Sequence, residues 1–205
     1  MVYLRKHSDT LAGKRIYLMC EILLNTGLRI QELIKLRVKD TPTVLAEDVI
    51  EVYMGKGKRD RTVPVSPRLA KKIDKYIREV RPKTLPRHIR RGDINRPVFY
   101  SSRRRSYLQT IKGRTRVSVS LYRTIRSLAH AIGITKAIHP HMFRHTFAVN
   151  ALKPKDEGGA GVDIYALQNL MGHSSLETTV KYLHFIKGQT NGMGKQLDRN
   201  YDEFF

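Results

Sequence analysis

LMGHSSLETTVKY, residues 170–182, is the stretch on which the reading of this chain turns. Gly172 is a natural C-terminal cap for a helix spanning Val162 to Met171. Ser174-Ser175-Leu176-Glu177 matches a capping box that opens a second helix running through Phe185. His173 then stands at the junction, and Tyr182 falls about two turns into the second helix. A histidine at a helix end is thus followed nine residues later by a tyrosine.

Three further segments accompany it. HPHMFRH, residues 139–145, begins a helix over His141 to Leu152, with His141, Arg144, His145 and Ala148 on one face and Phe143 and Phe147 off it. TGLRIQEL, residues 26–33, breaks one helix at Thr26-Gly27 and starts another, with Arg29 at its first turn and Glu32 one turn later. GKGK, residues 55–58, is the turn of a hairpin between a strand over Asp48 to Met54 and one over Arg61 to Val65.

The rest of the pattern is mainly helical. A first helix runs from Asp9 or Thr10 to about Asn25, with a buried stripe of Leu11, Ile16, Met19, Leu23 and Leu24. Ser66-Pro67 opens another that reaches Val80, and Leu121 to Ile132 is a third. Arg81 to Asn95 reads as a basic loop, and Pro97 to Ser101 and Leu108 to Val119 are ambiguous, with strand-like patches around Lys112-Gly113. Pro154 to Gly161, with three glycines, reads as a flexible connector. The fold class is therefore mixed α and β, mainly α, with a small antiparallel sheet.

Composition points to the partner class. Lys and Arg number 39 against 18 Asp and Glu, a net charge of +21 with a pI near 10.3. Such an excess suits a polyanion, because each neutralised phosphate releases condensed counterions. A ribosomal protein would satisfy the charge equally well. An anionic membrane is the weaker reading, since no apolar run approaches the ~20 residues that span a bilayer. Met1 to Lys14 lacks the apolar stretch of a signal peptide, and Cys20 is the single cysteine. A reducing, cytoplasmic setting is the expectation.

Together the four segments, in this order, resemble the tyrosine recombinase and phage integrase family, most closely its Xer-type members, from about Lys14 to Phe185. The family pattern maps onto Arg29, Lys56, His141, Arg144, His173 and Tyr182, and Glu32 matches a position where an acidic residue commonly supports the site. The resemblance implies the DNA breaking-rejoining catalytic fold over residues 1–187. It implies site-specific recombination of double-stranded DNA through a 3′-phosphotyrosine, by a homo-oligomer that is a tetramer in the synaptic complex. No metal and no cofactor are implied. Arg29 and Arg144 would clamp the phosphate, His141 would accept a proton, Lys56 would protonate the leaving oxygen, and His173 would hydrogen-bond a phosphate oxygen. His145 is read as a supporting or core histidine, and Lys58, Arg103, Arg104 and Arg105 as phosphate contacts.

Plainer readings stand beside these. Tyr182 could pack a helix, and Tyr165 and Tyr201 are rival nucleophiles without a preceding Gly-His. His139, His141 and His145 invite a zinc site but lack an accompanying Cys, Asp or Glu pattern. A topoisomerase IB-like enzyme, or a DNA-binding regulator that has lost the reaction, would share much of the pattern. The N-terminal helical domain usual in the family is not expected here, so the chain reads as a piece of a larger protein or a natural single-domain member. Residues 188–205 form a tail whose Leu197, Tyr201, Phe204 and Phe205 make one helical stripe, suited to exchange between protomers.

Overall fold

The computed structural model describes residues 10–53, 60–101, 103–111, 114–131 and 138–183. They divide into two compact units, with the boundary between Phe147 and Ala148.

In the first unit, α1 (Leu11–Thr26) is capped by Thr10, whose side chain accepts the Gly13 N–H. It ends at Gly27, whose φ of 63° is the left-handed conformation that favours glycine. The predicted stripe is broader than expected. Ile16, Met19 and Leu23 are buried, but so are Leu18, Cys20 and Ile22, whereas Leu11 is 40% exposed. Helix α1 is thus wrapped by the core on more than one side. Helix α2 (Ile30–Lys35) buries Ile30, Leu33 and Ile34. After a 3-10 turn (Val38–Asp40) and a one-turn helix, α3 (Pro42–Leu45), the chain forms β1 (Val49–Val52) and β2 (Arg61–Pro64).

These two strands pair antiparallel, with Ile50 opposite Val63 and Val52 opposite Arg61. Ile50, Val52 and Val63 face the core. Helix α4 (Pro67–Lys75), capped by Ser66, continues through a π turn (Tyr76–Val80) and a 3-10 turn (Arg81–Lys83). The ambiguous stretch after Pro97 resolves into a second hairpin, β3 (Leu108–Ile111) and β4 (Arg114–Val117), followed by α5 (Val119–Ala131). Where the sequence suggests a single small sheet, the described residues form two separate two-stranded sheets. Leu121 and Ile125 of α5 join the same core as α1, α2 and both strands of the first hairpin.

Helix α6 (Pro140–Leu152) carries the division between the units. In the second unit, the Pro154–Gly161 segment is not the flexible connector predicted. Ala160 N–H donates to Asn150 O, Gly161 N–H to Lys153 O and Val162 N–H to Ala151 O, which occupies carbonyls at the end of α6. A Cβ at Gly159 would lie 2.0 Å from Lys153 O. Glycine here permits close approach rather than freedom. Helix α7 (Ile164–Met171) is capped by Asp163 and stopped by Gly172, and α8 (Leu176–Val180) follows.

Candidate active site

In the first unit the site is built on the turn between α1 and α2. Arg29 is the N-cap of α2, and its backbone N–H donates to Glu32 Oε2 at 2.8 Å. A glutamate at the third position of a helix commonly reaches back in this way. The same carboxylate accepts from Arg29 Nη1 at 2.9 Å and from Arg61 Nη2 at 2.8 Å and Nη1 at 3.2 Å. Arg61 reaches it because register places it opposite Val52, on the inward face of the hairpin. Burial pushes the Glu32 carboxyl up, but the Arg61 hydrogen bonds and charge, with those from Arg29, outweigh it and hold the group below its usual range.

Arg144 enters the same turn. Its side chain is buried in α6, and Nη1 donates to the Gly27 carbonyl oxygen. Arg144 is thus tied to the turn that carries Arg29. Beside Arg29 and Glu32 opens a cleft of about 340 Å³, also lined by Lys35, Arg37 and Tyr53. His141, one turn before Arg144, is exposed, and its ring meets that of His139 edge-on at 6.4 Å. His145 is half-buried. Arg103, Arg104 and Arg105 are exposed on a tight turn closed by Arg104 N–H to Ser101 O, and Arg104 takes a φ of 56° there. Lys56 and Lys58 lie outside the described residues.

In the second unit, Gly172 puts His173 at the end of α7 with its backbone held on both sides. His173 N–H donates to Gln168 O at 3.1 Å, and Gln168 Nε2 donates to His173 O at 3.3 Å. The imidazole Nδ1 pairs with Thr179 Oγ1 at 2.8 Å, and Thr179 is fully buried. That bond leaves Nε2 as the nitrogen directed away from Thr179. The His173 and Tyr182 rings stack, 6.2 Å between centroids and 11° between planes.

Tyr182 does not sit inside a long helix as predicted. Ser175, not Ser174, is the cap, accepting the Glu177 N–H, so Glu177 stands one position too early for a capping box. Helix α8 ends at Val180, and Tyr182 N–H donates to Thr179 O in a tighter turn. The turn keeps the tyrosine half-buried beside the histidine. Burial raises the hydroxyl pKa values of Tyr76, Tyr100 and Tyr107 and pushes the Cys20 thiol up to about 12. Tyr165 is 62% exposed, and Tyr201 lies outside the described residues.

Two residues were missed in the sequence, Arg61 and Thr179. Arg61 lies 29 positions from Glu32, and only the hairpin register brings them together. Thr179 had a local signal, a threonine between the histidine and the tyrosine, but nothing in its spacing told it from Thr178.

The pattern that defines the phage integrase family matches residues 2–188. The chain belongs to the phage integrase family. A tyrosine recombinase of Pseudothermotoga lettingae is 34% identical over 177 residues, covering 86% of this chain and 52% of that protein. The tyrosine recombinase XerD of Listeria innocua is 33% identical over 190 residues, covering 93% of this chain and 57% of the relative. This family member therefore spans about half the length of the curated relatives it matches. Among solved structures, the XerA recombinase aligns with a TM-score of 0.67 at 29% identity, over 93% of this chain and 59% of the other. The catalytic domain of bacteriophage HP1 integrase shares the fold, with a TM-score of 0.55 at 22% identity over 94% of this chain and 87% of that one. Among the described residues the fold is mostly helical with small antiparallel sheets.

Proposed function

We propose that this chain is the catalytic domain of a site-specific DNA recombinase that cleaves and rejoins strands through a 3′-phosphotyrosine on Tyr182. The observation that carries this reading is the His173–Tyr182 stack, with the imidazole held by Thr179. The ring is oriented so that Nε2 can meet a phosphate oxygen next to the attacking hydroxyl.

The residues support a balanced step. Tyr182 Oη forms a bond to phosphorus as the bond to the 5′ oxygen breaks. The phenolic proton passes to His141, and the 5′ oxygen takes a proton from Lys56. A tyrosine has an unperturbed pKa of ~10, so deprotonation at neutral pH costs on the order of 4 kcal/mol unless cations share the load. Arg29 and Arg144, with their forked donors, suit the charge that develops on the non-bridging oxygens. The energy of the cut bond is kept in the phosphotyrosine, and a 5′ hydroxyl from another strand reverses the step. Metal and nucleotide cofactors have no task in this scheme.

The partner is double-stranded DNA, and strand exchange between two sites calls for a homo-oligomer, a tetramer in the synaptic complex. Residues 188–205, outside the described residues, are the segment proposed to pass between protomers. Lys58 and Arg103 to Arg105 are assigned to the phosphate backbone. Among the described residues no helix is long and apolar enough to cross a membrane, and the proposed setting is the cytoplasm.

The test uses nicked suicide DNA and a denaturing gel. Wild-type protein should give a slow-migrating covalent adduct, and Tyr182→Phe should bind the same DNA without one. An adduct persisting in Tyr182→Phe would remove the assignment.

A further inference from the structure

A cationic loop of the first unit, residues 84–97, takes no part in the chemistry above. We infer that it is a preformed contact for the DNA backbone, with Arg87, Arg90 and Arg91 meeting phosphates; the inference rests on the DNA reading above.

The loop is built rather than merely solvated. Arg81 lies at its base with only 1% of its surface exposed, a place where an arginine is rarely put without reason. Its Nε donates to Pro97 O at 3.1 Å and its Nη1 to Arg91 O at 3.4 Å, so one buried guanidinium ties the middle of the loop to its exit. The rim docks on the segment that follows α2. Val38 N–H donates to Arg96 O, Lys39 N–H to Ile94 O, and Val98 N–H to Leu36 O. Successive turns, Ile89 N–H to Pro86 O and Asp93 N–H to Arg90 O, fix the backbone between. Thr84 and Leu85 are buried beneath it.

On this frame Arg87, His88, Arg90 and Arg91 are all exposed. The loop's one carboxylate, Asp93, is taken by Arg96 at 3.0 Å and by the Asn95 N–H at 3.1 Å. Arg87, Arg90 and Arg91 make no ion pair with any described residue. Like charges held on a fixed backbone repel, and no carboxylate among the described residues pairs with them. A polyanion would. Guanidinium forks match phosphate oxygens two at a time. A membrane surface is less well matched, because Ile94 is the loop's sole large exposed apolar side chain.

Phosphate contacts position a protein without reading sequence, and each one adds about 0.9 to the slope of log K against log salt. The experiment compares the wild-type chain with Arg87→Gln/Arg90→Gln/Arg91→Gln. A control of equal charge change, Arg68→Gln/Lys71→Gln/Lys75→Gln, alters exposed positions on α4. Binding to two duplexes of unrelated sequence is measured across a salt series, with thermal unfolding to confirm that all three proteins fold. An acidic peptide serves as a competing probe, and wild-type covalent adduct formation is scored separately.

The loop variant should lose about 2–3 from the slope on both duplexes, while the control loses less than about 1. An unchanged slope would overturn the inference. So would equal losses in loop and control variants, which would make net charge the cause, or a defect confined to the acidic peptide. A wild-type protein that forms no adduct yet shows the loop-specific slope change would sink the recombinase reading and leave the DNA contact standing.

Discussion

Glu32 grips Arg29 at both ends, accepting its backbone N–H through one carboxylate oxygen at 2.8 Å and its Nη1 through the other at 2.9 Å. Because Arg61 binds both oxygens as well, the position of Arg29 depends on a hairpin 29 residues away. Placement of one cation by a carboxylate that a second cation also binds makes the site a unit rather than a set of separate residues.

Glu32→Gln should therefore cost on the order of 2 kcal/mol in stability at neutral pH, mostly through the nearly buried Arg61. Single-turnover cleavage should slow by about tenfold or more as Arg29 loses its orientation. The pH dependence follows from the depressed carboxyl. Its contribution is present above the unfolded value of ~4.3 and is lost as pH falls through the lower folded value. The stability gap between wild type and Glu32→Gln should thus close below about pH 4. Thermal unfolding across that range checks it, and a gap that stays constant would contradict the charge-based account.

Gly27→Ala attacks the same turn by a different route. Its φ of 63° disfavours alanine, and the new Cβ would lie 2.3 Å from Phe147 Cδ1. A loss of about 2–3 kcal/mol is expected, and Phe147→Leu should recover part of it in the double variant. Strictly additive losses would show that the close approach of Phe147 does not matter.

Thr179 is a positioning residue. Thr179→Val keeps the shape but removes the partner of His173 Nδ1, so cleavage should fall about tenfold while stability drops by only ~1 kcal/mol. Thr179→Ser should restore most of the rate. If the serine variant is as slow as the valine one, packing and not the hydrogen bond is what matters.

Lys56→Ala should cleave ordinary DNA poorly but recover on a 5′-bridging phosphorothiolate, whose sulfur leaves without a proton. Equal defects on the two substrates would move the acid elsewhere, with Lys58 the first alternative.

What could be read in advance was local. The α1–α2 break at Gly27 and the β1–β2 hairpin follow from periodicity and from glycine chemistry within a few residues, and both stand in the structure. The His173–Tyr182 spacing was legible, yet the cap slipped by one serine and the helix closed early, because two adjacent serines offer the same side-chain oxygen. The second hairpin was obscured by Arg114-Thr115-Arg116, whose polar alternation carries little apolar signal. Arg61 was invisible for a different reason. Its partner is set by strand register, which no local window contains. Pro154–Gly161 was misread because glycine marks close backbone approach as often as freedom, and only the Lys153 carbonyl decides between them.

The most direct test of the central claim is to identify the linked atom. Wild-type protein would be trapped on a nicked suicide duplex, digested with protease and nuclease, and the modified peptide sequenced by mass spectrometry. The account predicts a single nucleotide, joined through its 3′ phosphate to the oxygen of Tyr182. A nucleotide on Tyr165 or on any other residue, a linkage through the 5′ phosphate, or no modified peptide at all would contradict it.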